Sequence, residues 1–137
     1  MIRYKKTNSK KWPWKLTENY SYKMDFDVPM LQIAKLGNSY VKFKPLGYRK
    51  AKLELKEGYS INGANIIPDS RSVLRGAFVH DAGWQLIEES YLPKSFAKEF
   101  DKELRGIFIE DGMNKVFANI CYIGVRIGAK WRFGIKY

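Results

Sequence analysis

Little in this sequence offers a ready-made reaction centre. Among 137 residues there is one cysteine, Cys121, and one histidine, His80. A single thiol makes no internal disulfide and no cysteine-rich metal site, which fits a reducing compartment. No apolar run reaches the ~18 residues that a membrane span needs. The opening Met1-Ile2-Arg3-Tyr4-Lys5-Lys6 leads into polar residues rather than into the apolar stretch and cleavage site of a secretion signal. A soluble protein with no signal peptide and no membrane span is expected. There is no phosphate loop, no paired-histidine zinc motif and no dinucleotide fingerprint. No serine or cysteine stands in a nucleophile motif, and Cys121 is expected to face the core as a small hydrophobe.

Acidic residues are the scarcer charge, 14 against 25 Lys and Arg, for a net +11. The excess is uneven: residues 1–60 carry 14 basic and 5 acidic groups (+9), residues 61–137 carry 11 and 9 (+2). A basic half can meet nucleic acid, an anionic surface or an acidic protein. Lysine outnumbers arginine and no nucleic-acid motif accompanies it, so the plainer reading is a set of Lys-rich solvent faces that guard sheet edges.

What is present is a globular composition, 45% hydrophobic and 15% aromatic, long enough for a genuine core. The N-terminal half reads as strands. Tyr20, Tyr22, Met24 and Phe26 alternate onto one face. Residues 31–35 and 39–44 flank Leu36-Gly37-Asn38, a hairpin signal in which Gly37 and Asn38 both tolerate positive φ. Residues 51–56 alternate again before a Glu57-Gly58 turn, and Trp12-Pro13-Trp14 is expected to cover one end of the sheet.

The C-terminal half shifts to a helical period. A first helix is expected from about Ser72 to Glu89, with Val73, Ala77, Trp84 and Ile87 in one stripe, Leu74, Phe78 and Ala82 beside it, and Asp69, Ser70 or Ser72 as N-cap. A second runs from about Ser95 to Ile109 on Phe96, Ala97, Phe100, Leu104, Ile107 and Phe108. A third spans about Asn114 to Ile127, with Val116, Phe117, Ile120, Cys121 and Gly124 facing inward. Gly124 and Gly128 either permit close packing or end it. The expected architecture is one α+β domain, an antiparallel β-rich N-terminal half packed on about three helices. Residues 1–60 are mainly strands, 61–71 a crossing loop, 72–128 mainly helices and 129–137 a basic aromatic tail.

Three ionisable residues break the apolar pattern. His80 lies on the stripe of Val73, Ala77 and Trp84; Asp81 is three and four positions from Phe78 and Ala77; Asp101 is one turn from Ala97 and Leu104. Inward-facing polar groups must satisfy one another or nearby backbone. One reading is structural: the carboxylates bond His80 or the backbone around Asn62-Gly63, with Asn65 as a further loop partner, and pin the loop to the helices. The other is functional: an imidazole with two carboxylates performs acid–base chemistry or holds a divalent metal. One histidine is thin for a metal site, so no cofactor is expected. Lys10, Lys11, Trp12 and Trp14 at one end, and Trp131 and Arg132 at the other, are candidates for partner binding.

Five segments form a series: Trp14-Lys15-Leu16-Thr17-Glu18-Asn19-Tyr20-Ser21-Tyr22, Gly58-Tyr59-Ser60-Ile61-Asn62-Gly63-Ala64, Val79-His80-Asp81, Phe100-Asp101 and Tyr122-Ile123-Gly124-Val125-Arg126. Their order and spacing, from about Trp12 to Trp131, resemble domain-of-unknown-function family 1353, found largely in bacteriophages and prophages. The resemblance implies that His80-Asp81 is the family's His-Asp pair and Asp101 its later helical Asp. In the family's central loop Ile61 stands for Thr, Asn62 for Asp and Asn65 for Ser, and Pro68 comes one place late. The departure at Asn62 removes a carboxylate. The resemblance implies a phage origin and no particular reaction.

Three functions follow as expectations. The first is a non-enzymatic phage protein, virion-associated or bound to a phage or host protein, and so located in the virion or host cytoplasm. The second is a hydrolase, metal-assisted or acid–base, using His80, Asp81 and Asp101. The third is nucleic-acid binding by the basic half. Oligomeric state is left open.

Overall fold

The computed structural model describes residues 1–26, 28, 36–47, 49–62 and 71–134, the side chain of Arg71 excepted. The fold is α+β, with antiparallel strands in the N-terminal half and three helices in the C-terminal half. It divides into two compact units, Met1–Gly63 and Ala64–Tyr137.

The first unit holds two sheets among its described residues. β1 (Tyr4–Lys6), β2 (Trp14–Leu16) and β7 (Ser60–Ile61) form one, in the order β1-β2-β7. β3 (Tyr20–Lys23), β4 (Leu36–Gly37), β5 (Val41–Gly47) and β6 (Lys50–Leu55) form the other, in the order β3-β6-β5-β4. The period-2 alternation sets its register. Tyr22, Leu53, Phe43 and Leu36 line up across all four strands, as do Tyr20, Leu55 and Val41 across three. The opposite face carries Ser21, Glu54 and Lys42 in one row and Lys23, Lys52 and Lys44 in the next.

Three sequence expectations change here. Trp14 is a strand residue of the smaller sheet, paired with Lys6 and Ile61, rather than a cover for the larger one. The hairpin at Gly37-Asn38 exists, but only Gly37 takes positive φ (143°). A side chain there would strike the Val41 carbonyl. Asn38 acts instead through its side chain, whose Oδ1 accepts from the Tyr40 and Val41 amides at 2.8 and 2.9 Å. Leu36-Gly37 is thereby strand rather than turn; the strand expected over 31–35 lies outside the described residues.

The second unit holds α1 (Arg71–Glu88), α2 (Phe96–Glu110) and α3 (Lys115–Phe133). Of the expected caps for α1, Asp69 and Ser70 lie outside the described residues and Ser72 falls inside the helix. The α1 and α2 stripes are buried as their periodicity implies. Two glycines on α1 bring the pair close. A Cβ on Gly83 would lie 2.4 Å from the Phe100 ring, and one on Gly76 would lie 2.7 Å from Phe108. Each notch seats one phenylalanine of α2. Arg75 then ties α1 to the end of α2 through a two-pronged pair with Asp111, at 2.9 and 3.0 Å.

α3 departs most from expectation. Asn114 caps it, its Oδ1 accepting from the Val116 and Phe117 amides. The helix runs through Gly124 and Gly128 and stops at Gly134, which is left-handed (φ 66°). Trp131 and Arg132 are therefore its last turn and not a separate tail; residues 135–137 lie outside the description. The face expected to point inward is the exposed one. Val116, Phe117, Ile120 and Gly124 are exposed and Cys121 is only half-buried. The buried face is Ala118, Arg126, Ala129 and Phe133. α3 is apolar nearly all round, so its periodicity does not say which side meets α1 and α2. Small size decides: Ala118 fits fully buried in the cluster of Val73, Leu104 and Phe108, with Cys121 and Val125 at its edge.

Candidate functional site

His80 and Trp84 are one helical turn apart on α1 and so share a face. Asp101 comes from α2 and Arg126 from the buried face of α3. All four converge on the Asp101 carboxylate, which is fully buried. His80 Nε2 lies 2.5 Å from Oδ1, Trp84 Nε1 donates to the same oxygen at 3.0 Å, and Arg126 Nη1 donates to Oδ2 at 2.9 Å. His80 is 6% exposed and Arg126 8%. The His80 ring also leans on the Trp84 indole at 4.5 Å between centroids.

Asp81 stands apart. Its side chain is about one-third exposed (35%), and its Oδ1 is 3.9 Å from His80 Nδ1. That is too long for a hydrogen bond, so Asp81 acts on the imidazole through charge. The sequence placed all three ionisable groups inward; two are buried, and Asp81 sits at the margin.

The electrostatics follow. Burial disfavours an imidazolium, but the Asp101 contact and the charges of Asp101 and Asp81 outweigh it, so the His80 pKa is raised above its ordinary 6.5. A carboxylate only accepts, which puts a proton on Nε2 in both charge states. Nδ1 is then the atom that gains or loses a proton, facing Asp81. Burial raises the Cys121 thiol pKa as well, which works against a thiolate nucleophile.

Chemically the arrangement is closed at Asp101, and its one atom without a close acceptor among the described residues is His80 Nδ1, which faces the partly exposed Asp81. A general base needs room for a substrate proton within hydrogen-bond reach, yet both Asp101 oxygens already accept from protein donors and have no exposed surface. Arg126 puts a fixed positive charge against the second oxygen, which opposes a cation there. Among the described residues no group of three or more His, Cys, Asp or Glu is placed to hold a metal ion. None of their helices is long and apolar enough to cross a membrane.

The cluster pins helix to helix. Among the described residues the side chains bonded to Asp101 come from α1 and α3, which makes the cluster a three-helix brace; the loop it was expected to pin lies, beyond Asn62, outside the described residues. Asn62 is exposed in the first unit; Gly63 and Asn65 lie outside the described residues. Two donors, Trp84 and Arg126, were not read from the sequence as partners of Asp101. Arg126 did carry a signal: it is the only charged residue between Lys115 and Lys130 in an otherwise apolar helix. Trp84 carried a weaker one, its spacing from His80.

The partner-binding candidates divide. Trp12 is 46% exposed, and the Lys11 ammonium lies over its ring at 5.5 Å. Lys10 is exposed beside it. Trp14 is half-buried, edge-on to Tyr4. Trp131 is 84% exposed. Arg132 pairs with Glu88 at 2.5 Å and covers the Trp84 ring at 5.6 Å, so it belongs to the helical unit. Compared with family models, curated proteins and solved structures, the chain gave no match.

Proposed function

We propose a non-enzymatic protein of phage or prophage origin that works by binding a protein partner in the virion or host cytoplasm. One observation carries the non-enzymatic half of this reading: the Asp101 carboxylate is fully buried with both oxygens engaged by donors from two other helices. The cluster is then a brace, and activity lies on the surface. The phage setting rests on the family resemblance in motif order.

The loop between β1 and β2 is the best-prepared contact in the first unit. The Thr7 hydroxyl donates to the Trp12 carbonyl at 2.9 Å, and Ser9 Oγ accepts from the Trp12 amide at 3.0 Å. The Thr7 amide donates to the Pro13 carbonyl at 2.6 Å. Held by its own bonds, the loop presents an indole flanked by Lys10 and Lys11. A preorganised aromatic with cationic neighbours suits a partner pocket with an acidic rim.

A hydrolase screen with added divalent metals, run on wild type and His80→Gln, tests the first half. Turnover that disappears in a folded His80→Gln would overturn it. For the second half, a captured and then purified partner should bind Trp12→Ala about 10- to 100-fold more weakly; equal binding would remove Trp12 from the interface.

A second reading, nucleic-acid binding, has one specific support. Lys23, Lys52 and Lys44 sit directly opposite one another on three adjacent strands, a like-charge row that a polyanion would relieve. Binding at low salt should weaken steeply as salt rises; no binding to single- or double-stranded nucleic acid at low salt excludes it.

A further inference from the structure

The exposed face of α3 is a second apolar stripe, opposite the one that packs on α1 and α2. Val116 (69% exposed), Ile120, Ile123, Ile127 and Trp131 (84%) follow one another at helical spacing, with Phe117 at the flank. The stripe is about 22 Å long. Its exposed fractions correspond to on the order of 700 Å² of apolar surface, more than the largest patch of an ordinary monomer. A helix apolar on all sides is normally covered on all sides.

We infer that this stripe is covered by the same stripe of a second copy, the two α3 helices crossing antiparallel about a two-fold axis at Ile123 and Gly124. Two stripes sealed together bury about 1,400 Å², within the range of stable interfaces. The spacing is also self-complementary, as a two-fold contact requires. Reversed about the midpoint of residues 123 and 124, Val116 meets Trp131, Ile120 meets Ile127 and Ile123 meets Gly124. Gly124 has open space where a Cβ would stand, so a facing Ile123 can enter. Phe117 meets Lys130, a pairing that suits a cation over a ring. Lys115 meets Arg132 at the rim, where solvent screens the like charges.

An anionic lipid surface is the competing occupant, given the net charge of +11. Such helices line their polar flanks with lysine and arginine. Between Lys115 and Lys130, however, the only charged residue of α3 is Arg126, which is buried against Asp101. On α3 itself the stripe has basic groups at its ends and none along its length, and Arg105 of α2, beside its middle, is already held by Asn119 and the Tyr122 ring, which favours a protein surface.

The test is sedimentation of the full chain at micromolar concentration. Wild type should run as a dimer, no weaker at higher salt. Ile120→Glu, at an exposed position, should retain its helical circular dichroism and raise the dimer Kd at least about 30-fold; Trp131→Ser at the far end should weaken it too. Ile120→Glu/Ile127→Lys should restore the dimer, because only the antiparallel register sets residue 120 against 127. A monomeric wild type overturns the proposal. So does a dimer indifferent to Ile120→Glu, or a double variant no better than the single. A monomer that sediments with phosphatidylserine vesicles but not with phosphatidylcholine vesicles assigns the stripe to lipid instead.

Discussion

Removing the Asp101 carboxylate is the sharpest probe of the second unit. Asp101→Ala leaves the Arg126 guanidinium, His80 Nε2 and the Trp84 indole N–H aimed at an empty space. Bonds involving charged groups are worth about 1.5–3 kcal/mol each, but three losses do not add. Without Asp101, burial dominates at His80 and the imidazole sheds its charge, removing part of the cost. Arg126 has no such exit, since a guanidinium does not deprotonate in a protein. The loss should approach that of breaking one buried ion pair, about 3–5 kcal/mol. That is a large share of the ~5–15 kcal/mol that holds a domain together. Urea unfolding followed by far-UV circular dichroism at pH 7 measures it directly. Asp101→Leu/Arg126→Met is the decisive companion, because it removes the buried cation together with the carboxylate it faces. It should regain at least about half of the loss. A single-variant loss below about 1 kcal/mol would show the brace to be incidental, and a double variant no better than the single would locate the effect outside the Asp101–Arg126 pair.

Two further outcomes follow from the same unit. His80 holds its proton more tightly folded than unfolded. Its contribution to stability is therefore complete below about pH 6.5 and is lost as pH rises through the higher folded-state value. His80 is the chain's one histidine, so a single imidazole NMR signal reports it. A midpoint at or below about 6.5 would contradict the arrangement, and His80→Gln should flatten this part of the stability–pH curve. Gly83→Ala gains up to ~1 kcal/mol of helix propensity but drives a methyl into the Phe100 ring, a clash costing about 1–3 kcal/mol. Its urea midpoint should fall, whereas that of Gly106→Ala, where an added Cβ meets nothing within 4 Å, should rise.

Much of the fold was legible because burial follows period. Alternation at Tyr20–Met24 and Lys50–Leu55 needs only one buried sheet face to become register. The apolar residues of α1 and α2 fall in the stripes that are buried, so they name their own orientation. His80 and Asp101 could be picked out because a polar residue on such a stripe must find a partner. The sequence did not say which partner. One carboxylate accepts from any donor within reach, and only the placement of three helices brought Arg126 and Trp84 there and left Asp81 at the margin.

α3 shows where sequence reading ends. Its composition determined a helix starting at about Asn114, whereas its run past Ile127 to a stop at Gly134 appeared only in the structure. Two apolar faces of similar strength gave no reason to prefer one. The tertiary structure chose the face with Ala118 and Ala129, because small side chains allow close approach to α1 and α2 and because Arg126 could reach Asp101 only from that side. Local chemistry determined what each segment is. Packing decided which way α3 faces, whom Asp101 binds, and which apolar stripe stays exposed.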